Sequence, residues 1–361
     1  MKSYREITEI KDMDKTTALL KEYPPILSQF IQSMEFVTTP KTRLEYTKDL
    51  TKFYDYVADF KGLSCKDVNV KILESLEKTF FQDYLHYLKK YEKNGKIITN
   101  SDISIRRKLA SIRKYFGYLF ENDLISSNKV SKIKTPKLRE KEIIRMNSEE
   151  TADFVSVVEN GGKISKKQRE YHNKQSTRDL AIIYLMLSSG IRVSECVGLN
   201  LNDIDMKSCS IHIIRKGGKE STVWFSDEAA SYLEEYIEER KRVKTLNENE
   251  QALFLSSRKQ RLSVRSVEVL IKKYARMAVP LKHITPHKLR STFASSLYQE
   301  TGDIYLVGEI LGHNDISTTK KSYAALSSQR KEKARNILQI NTSYGTDGTN
   351  GTEGTNGTDI T

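Results

Sequence analysis

The chain has 361 residues, with 60 lysines and arginines against 47 aspartates and glutamates, a formal charge of +13. Its 38% hydrophobic and 30% charged content fits a soluble globular protein with room for two or three domains, each burying its own core. No apolar run approaches the roughly 20 residues that span a bilayer, and the opening MKSYREITEIKDMDK lacks a signal peptide's apolar segment, so a cytoplasmic protein is expected.

The positive charge points to a polyanionic partner, with nucleic acid first among them. Cys65, Cys196 and Cys209 are scattered, without CxxC or HExxH, which predicts reduced thiols and no metal. No GxxxxGK[ST] phosphate loop occurs, and no cofactor is expected.

Residues 1–26 form a polar N-terminal extension with one short helix, ending at Pro24-Pro25. From 27 to 137 the pattern predicts an all-helical domain. Leu50, Phe53, Tyr54 and Val57 recur at helical spacing; so do Phe81, Tyr84, Leu85 and Leu88; and Ile105, Leu109, Ile112, Phe116 and Leu119 make the cleanest stripe. The last helix starts near Ser101 or Asp102 and carries Arg106, Arg107, Lys108, Arg113 and Lys114 beside its apolar stripe. Such a face is ordinarily just solvated; in a basic protein with a phosphate site downstream it is a candidate DNA-binding face. A basic linker over 138–146 follows.

The second domain spans 147–340. Asn147 and Glu150 have capping-box spacing, GGKISKKQREYHNKQS reads as a long polar loop, and RDLAIIYLMLSSG is an apolar, central helix closed by Gly190. Arg192 follows directly, with Glu195 or Asp203 as ion-pair partners. Residues 210–225 alternate as a β-hairpin around Gly217-Gly218, with Lys216 at the turn. Helices are expected at about 227–243, 263–277 and 327–339. Thr285 and Pro286 open a helix that places His287 and Arg290 on one face. His313 follows Leu311-Gly312, and Tyr323 comes ten residues later. Guanidinium clamps phosphoryl oxygens, imidazole moves protons, and a phenol attacks phosphorus. The tail over 341–361, with its GTDGTNGTEGTNGTDIT repeat, is expected to be disordered.

The blocks SSGIRVSECVGL, RKGGKESTV, TPHKLRSTFASSL and LGHNDISTTKKSY, in that order, resemble the active-site blocks of the tyrosine recombinase, or phage integrase, family. The resemblance is firm over 147–340; 27–137 is similar to the family's SAM-like core-binding domain, and the overall length to the Xer-type branch of Gram-positive bacteria that acts with one recombinase. It implies a mainly α fold with a small β-hairpin or sheet, made of a helical core-binding domain and a catalytic domain.

It implies too that Tyr323 attacks a scissile DNA phosphate, leaving a 3′-phosphotyrosine and a free 5′-hydroxyl. Arg192 and Arg290 stabilise phosphoryl charge, Lys216 protonates the leaving 5′-oxygen, His287 helps deprotonate Tyr323, His313 bonds the phosphate, and Glu195 supports the set. The implied partners are a double-stranded recombination site, a homotetramer on two duplexes, and an accessory DNA translocase or excision factor. The implied roles are chromosome dimer resolution or mobile-element integration and excision. Ser291 departs from the pattern, standing where a second histidine often follows. A type IB topoisomerase and a non-catalytic DNA-binding protein are the rival readings, with Tyr305 and Tyr298 the next candidate nucleophiles.

Overall fold

In a computed structural model the described residues are 3–93, 95–135, 144–162, 165–215, 218–245 and 250–312. Most of the linker, the helix expected over 327–339 and the repetitive tail lie outside them. The chain divides into two compact units, residues 1–142 and 143–361. Among the described residues no helix is long and apolar enough to cross a membrane.

The first unit is built from α1 (Tyr4–Leu20), α2 (Pro25–Ser33), α3 (Pro40–Lys61), α4 (Val70–Ser75), α5 (Lys78–Lys89), the strands β1 (Lys90–Lys93) and β2 (Lys96–Thr99), and α6 (Asp102–Glu121). α1 is longer than the short helix expected there, because Ser3 and Glu6 close a capping box at its start and the helix then packs along α3. Thr39 caps α3, Pro40 occupies its first turn, and Gly62 ends it in the left-handed conformation at φ 66°.

The core of this unit is aromatic. Phe53 is fully buried, with its ring centroid 5.3–6.4 Å from those of Tyr54, Phe80, Phe81, Tyr84 and Phe116. Most of these pairs meet edge to face, the arrangement that the ring quadrupoles favour. Tyr54 and Tyr115 share a hydroxyl hydrogen bond of 2.6 Å, so neither buried oxygen goes unsatisfied.

The expectation of an all-helical region is corrected here. β1 and β2 pair antiparallel from Lys90 opposite Thr99 to Lys93 opposite Lys96. The Asn94-Gly95 dipeptide between them is a strong two-residue hairpin signal, and Gly95 has φ 70°. Tyr91 stacks on Tyr87 at 5.0 Å, which continues the aromatic face of α5 into the hairpin.

The second unit contains α7 (Ser148–Asn160), α8 (Lys166–Asn173), α9 (Ser176–Ser189), α10 (Val193–Gly198), β3 (Ile204–Asp205), β4 (Ser210–Ile214), β5 (Glu220–Trp224), α11 (Asp227–Arg242), α12 (Val264–Ala278), α13 (Pro286–Thr301) and α14 (Ile304–Leu311). α9 is central: it buries Leu180, Ala181, Ile182, Ile183, Leu185 and Met186 and packs against α7, α11 and α13. β3, β4 and β5 form an antiparallel sheet in that order, with Ile211 opposite Val223, and β3 adds a strand to the expected hairpin.

The polar loop expected before α9 is also corrected, since much of it folds as α8. Ser165 and Gln168 form a capping box at its start. His172 then anchors the helix: its Nδ1 lies 3.1 Å from the Tyr274 hydroxyl, which donates to Asp179 Oδ2 at 2.9 Å. Arg178 donates to Asp179 Oδ1 at 2.6 Å, so this buried carboxylate joins α8, α9 and α12.

Phe53→Ala empties the centre of the aromatic cluster and is expected to cost about 3–5 kcal/mol of stability. Urea unfolding of the full chain followed by far-ultraviolet circular dichroism measures it; a cost below about 1 kcal/mol would show that the cluster closes over the gap.

Candidate active site

The C-terminal end of α14 is where the candidate residues meet. A helix leaves its last carbonyls without intrahelical donors and carries partial negative charge there. Arg290, from the first turns of α13, donates to Leu311 O and, at 2.6 Å, to Gly190 O. Its Nη1 thus also reaches the residue that closes α9. Arg192, two residues beyond Gly190, points Nη2 at Gly312 O from 3.5 Å.

Gly190 allows this convergence. It sits at φ 63°, and a Cβ there would lie 2.3 Å from the Phe293 ring of α13. Only glycine combines that backbone conformation with so close an approach. The Pro286 start of α13 is as the sequence predicts, although the Thr285 side chain makes no capping bond. Ser291 donates to the His287 carbonyl at 3.0 Å and is buried within the helix packing.

Of the two carboxylates open to Arg192 in the sequence, Glu195 is its partner. Glu195 Oε2 accepts the Arg192 backbone N–H at 2.7 Å and Oε1 accepts Nη1 at 2.9 Å. Asp203 instead accepts the Asn200 N–H at 2.7 Å. The Glu195 side chain is 7% exposed while that of Arg192 is 35% exposed, so the carboxylate sits behind and the guanidinium reaches forward.

His287 lies on the exposed side of α13. Enough protein still surrounds the ring to lower its pKa from 6.5, first by desolvation and then through the charges of Lys288, Arg290 and Arg192. Both arginines therefore act on this imidazole and, after burial, favour its neutral form. Lys216, His313 and Tyr323 lie outside the described residues. Arg215 and Gly312, the residues before Lys216 and His313, are both in this region.

Arg215 is a residue that sequence reasoning missed. Its Nη2 donates to Ile310 O at 2.7 Å, and Nη1 lies 3.5 Å from Glu309 O. No motif singled it out, because its role depends on β4 ending opposite α14. Of the alternative nucleophiles, Tyr305 is seven residues before Gly312 on α14, about 10 Å along the axis. Tyr298 is eight residues beyond Arg290 on α13, about 12 Å away along the helix.

The five cations of α6 divide. Arg107 forms a two-pronged pair with the buried Asp49 of α3, at 2.6 and 2.7 Å, and Ser111 donates to the same carboxylate at 2.8 Å. Lys108 approaches Asp49 at 3.9 Å. Arg113 donates to Thr135 Oγ1 at 3.0 Å and to the Ile133 carbonyl, tying the helix to the segment after it. Arg106 and Lys114 are exposed. Among the described residues no group of three or more His, Cys, Asp or Glu side chains is placed to hold a metal ion.

A histidine whose pKa is lower folded than unfolded withdraws stability as pH falls through the unfolded value of 6.5. Wild type is therefore expected to lose melting temperature relative to His287→Gln as the pH is lowered from about 7.5 to about 5.5. Parallel melting curves across that range would rule out the lowered pKa.

Residues 145–330 match the phage integrase family, and residues 27–122 match its N-terminal SAM-like domain. The tyrosine recombinase XerS of Streptococcus uberis is 32% identical over 333 residues, covering 83% of this chain and 92% of its own. The tyrosine recombinase XerC of Caldanaerobacter subterraneus is 30% identical over 314 residues, covering 83% and 82%. In fold, the chain is similar to the XerH site-specific recombinase bound to its difH substrate, with TM-score 0.59, 22% identity and coverage of 84% and 81%. It is also similar to the Tn1549 transposon integrase in complex with a circular intermediate DNA, with TM-score 0.62, 19% identity and coverage of 86% and 99%. The chain belongs to the phage integrase family and is a tyrosine site-specific recombinase, an enzyme that cleaves and rejoins DNA.

Proposed function

We propose that Tyr323 is the nucleophile and that Arg192, Lys216, His287, Arg290 and His313 serve it, with Glu195 holding Arg192. The observation that carries this reading is the convergence of Arg192 and Arg290 at the end of α14, directly before His313 in the chain, with the His287 imidazole within electrostatic reach of both arginines.

In the cleavage step the Tyr323 oxygen bonds to phosphorus as the bond from phosphorus to the 5′-oxygen breaks. The phenolic proton passes to neutral His287, and Lys216 gives a proton to the departing 5′-oxygen. The charge that spreads over the non-bridging oxygens meets Arg192 and Arg290, while His313 donates a hydrogen bond. A phenol with a pKa of about 10 is mostly protonated at neutral pH, and cations beside it favour the ionised form. One phosphodiester is exchanged for one phosphotyrosyl ester, so a second 5′-hydroxyl can reverse the step and join a new partner.

Arg106 and Lys114 of α6 are the cations best placed to meet DNA phosphates, with Arg107, Lys108 and Arg113 setting the shape of that face. The working assembly is a homotetramer on two duplexes, assisted by an accessory translocase or excision factor. Residues 27–137 form the core-binding domain and 147–340 the catalytic domain. The role is chromosome dimer resolution or mobile-element integration and excision, and the genomic position of the target distinguishes these.

Full-length protein incubated with sheared genomic DNA of its host in EDTA is expected to yield covalent protein–DNA adducts, whose ends map the site. Tyr323→Phe is expected to yield none. An adduct that survives this substitution moves the nucleophile to another tyrosine.

A further inference from the structure

Arg215 stands at the end of β4, where the turn closes around it: its N–H donates to Lys219 O at 2.8 Å and its carbonyl accepts from Gly218 N at 3.1 Å. Its side chain leaves the sheet and ends on α14, bonded to Ile310 O at 2.7 Å and close to Glu309 O. The guanidinium occupies the space beside Gly312, where a Cβ would come within 1.6 Å of Nη1.

This placement is costly. Burial lowers the Arg215 pKa and the nearby charge of Arg192 lowers it further, against a favourable contribution from Glu195. Its Nε is buried without a hydrogen-bond partner. Desolvating a guanidinium beside a second arginine is not the cheap way to fasten a surface hairpin. What the arrangement achieves is position: it fixes the end of β4 to the last turn of α14, one residue before Lys216 on one side and one before His313 on the other.

We infer that Arg215 is a positioning residue for the leaving-group acid, pinning the β4–β5 turn to the C-terminal turn of α14 so that Lys216 is delivered to the phosphate held by Arg192 and Arg290. This rests on the reading of Lys216 as the proton donor to the 5′-oxygen. Arg215 itself does not touch the phosphate. Its contribution passes through Lys216.

The leaving atom separates this from a general structural role. A 5′-oxygen leaves as a poor alkoxide and needs the proton from Lys216. A 5′-bridging sulfur leaves as a stable thiolate and needs none. The probes are two nicked duplexes of the mapped site, identical except for oxygen or sulfur at that position, cleaved in single turnover by full-length protein.

Arg215→Ala is expected to slow cleavage of the oxygen ester about 10²-fold, the scale of a misplaced catalytic group. On the sulfur ester it is expected within about threefold of wild type, because acid catalysis no longer contributes. Lys216→Ala is the control and is expected to show the same rescue. Arg215→Lys, which keeps a cation with a shorter reach, is expected to be intermediate on oxygen, and it serves if the alanine variant does not fold.

Equal losses on oxygen and sulfur, or no loss on oxygen, would overturn the role of Arg215 while leaving that of Lys216 intact. Failure of sulfur to rescue Lys216→Ala would instead overturn the assignment of the acid and this inference with it.

Discussion

The arrangement at the end of α14 rests on one electrostatic fact: a helix finishes with carbonyls that have no donors of their own. In this enzyme Ile310, Leu311 and Gly312 present those carbonyls to Arg215, Arg290 and Arg192, which arrive from a strand end, a helix and a loop. Three guanidinium groups gathered in one place repel one another. The negative end of the helix and the Glu195 carboxylate offset that repulsion. The planar fork of arginine suits the task, since it can bond a backbone carbonyl with one nitrogen and a second protein acceptor with another, as Arg192 and Arg290 do. The cations are therefore oriented by the protein's own carbonyls and carboxylate.

The support behind them is equally specific. Gly190 brings the end of α9 within reach of Arg290, and the Phe293 ring fills the space a side chain would have taken. α9 is held by its own apolar faces and by the buried Asp179, which bonds Arg178 and Tyr274 at once. Met146, buried just before α7, donates its N–H to Thr292 of α13 at 3.1 Å, so the chain entering α7 is sewn to the helix that carries Arg290. Positions far apart in sequence are thus locked into one frame.

Much of this was legible in the sequence, for local reasons. Capping residues and apolar spacing marked the starts of α6, α7, α9 and α13 to within a residue or two, because each helix has its own start signals. Arg192, His287 and Arg290 stood out through residue type and order. The Asn94-Gly95 turn and the Ser165–Gln168 capping box are local signals too, but they sit in segments whose composition otherwise reads as uniformly helical or uniformly polar. Arg215 was a different case. Nothing beside it in the chain announces a role, since its partner Ile310 lies 95 positions later. The choice between Glu195 and Asp203 as the partner of Arg192 likewise needed the backbone, because both spacings are chemically reasonable.

The Asp49 carboxylate has a consequence for how α6 would behave as a polyelectrolyte surface. By residue type the helix carries five cations, but Arg107 and Lys108 already share an internal anion, and Arg113 is committed to the Ile133 carbonyl and Thr135. The ions freed when a protein settles on a duplex scale with the phosphates its charges newly neutralise, not with its count of basic residues. Such a helix would be rigid in shape and economical in charge, closer to a template fitted against a groove than to a basic tail gripping whatever backbone it meets.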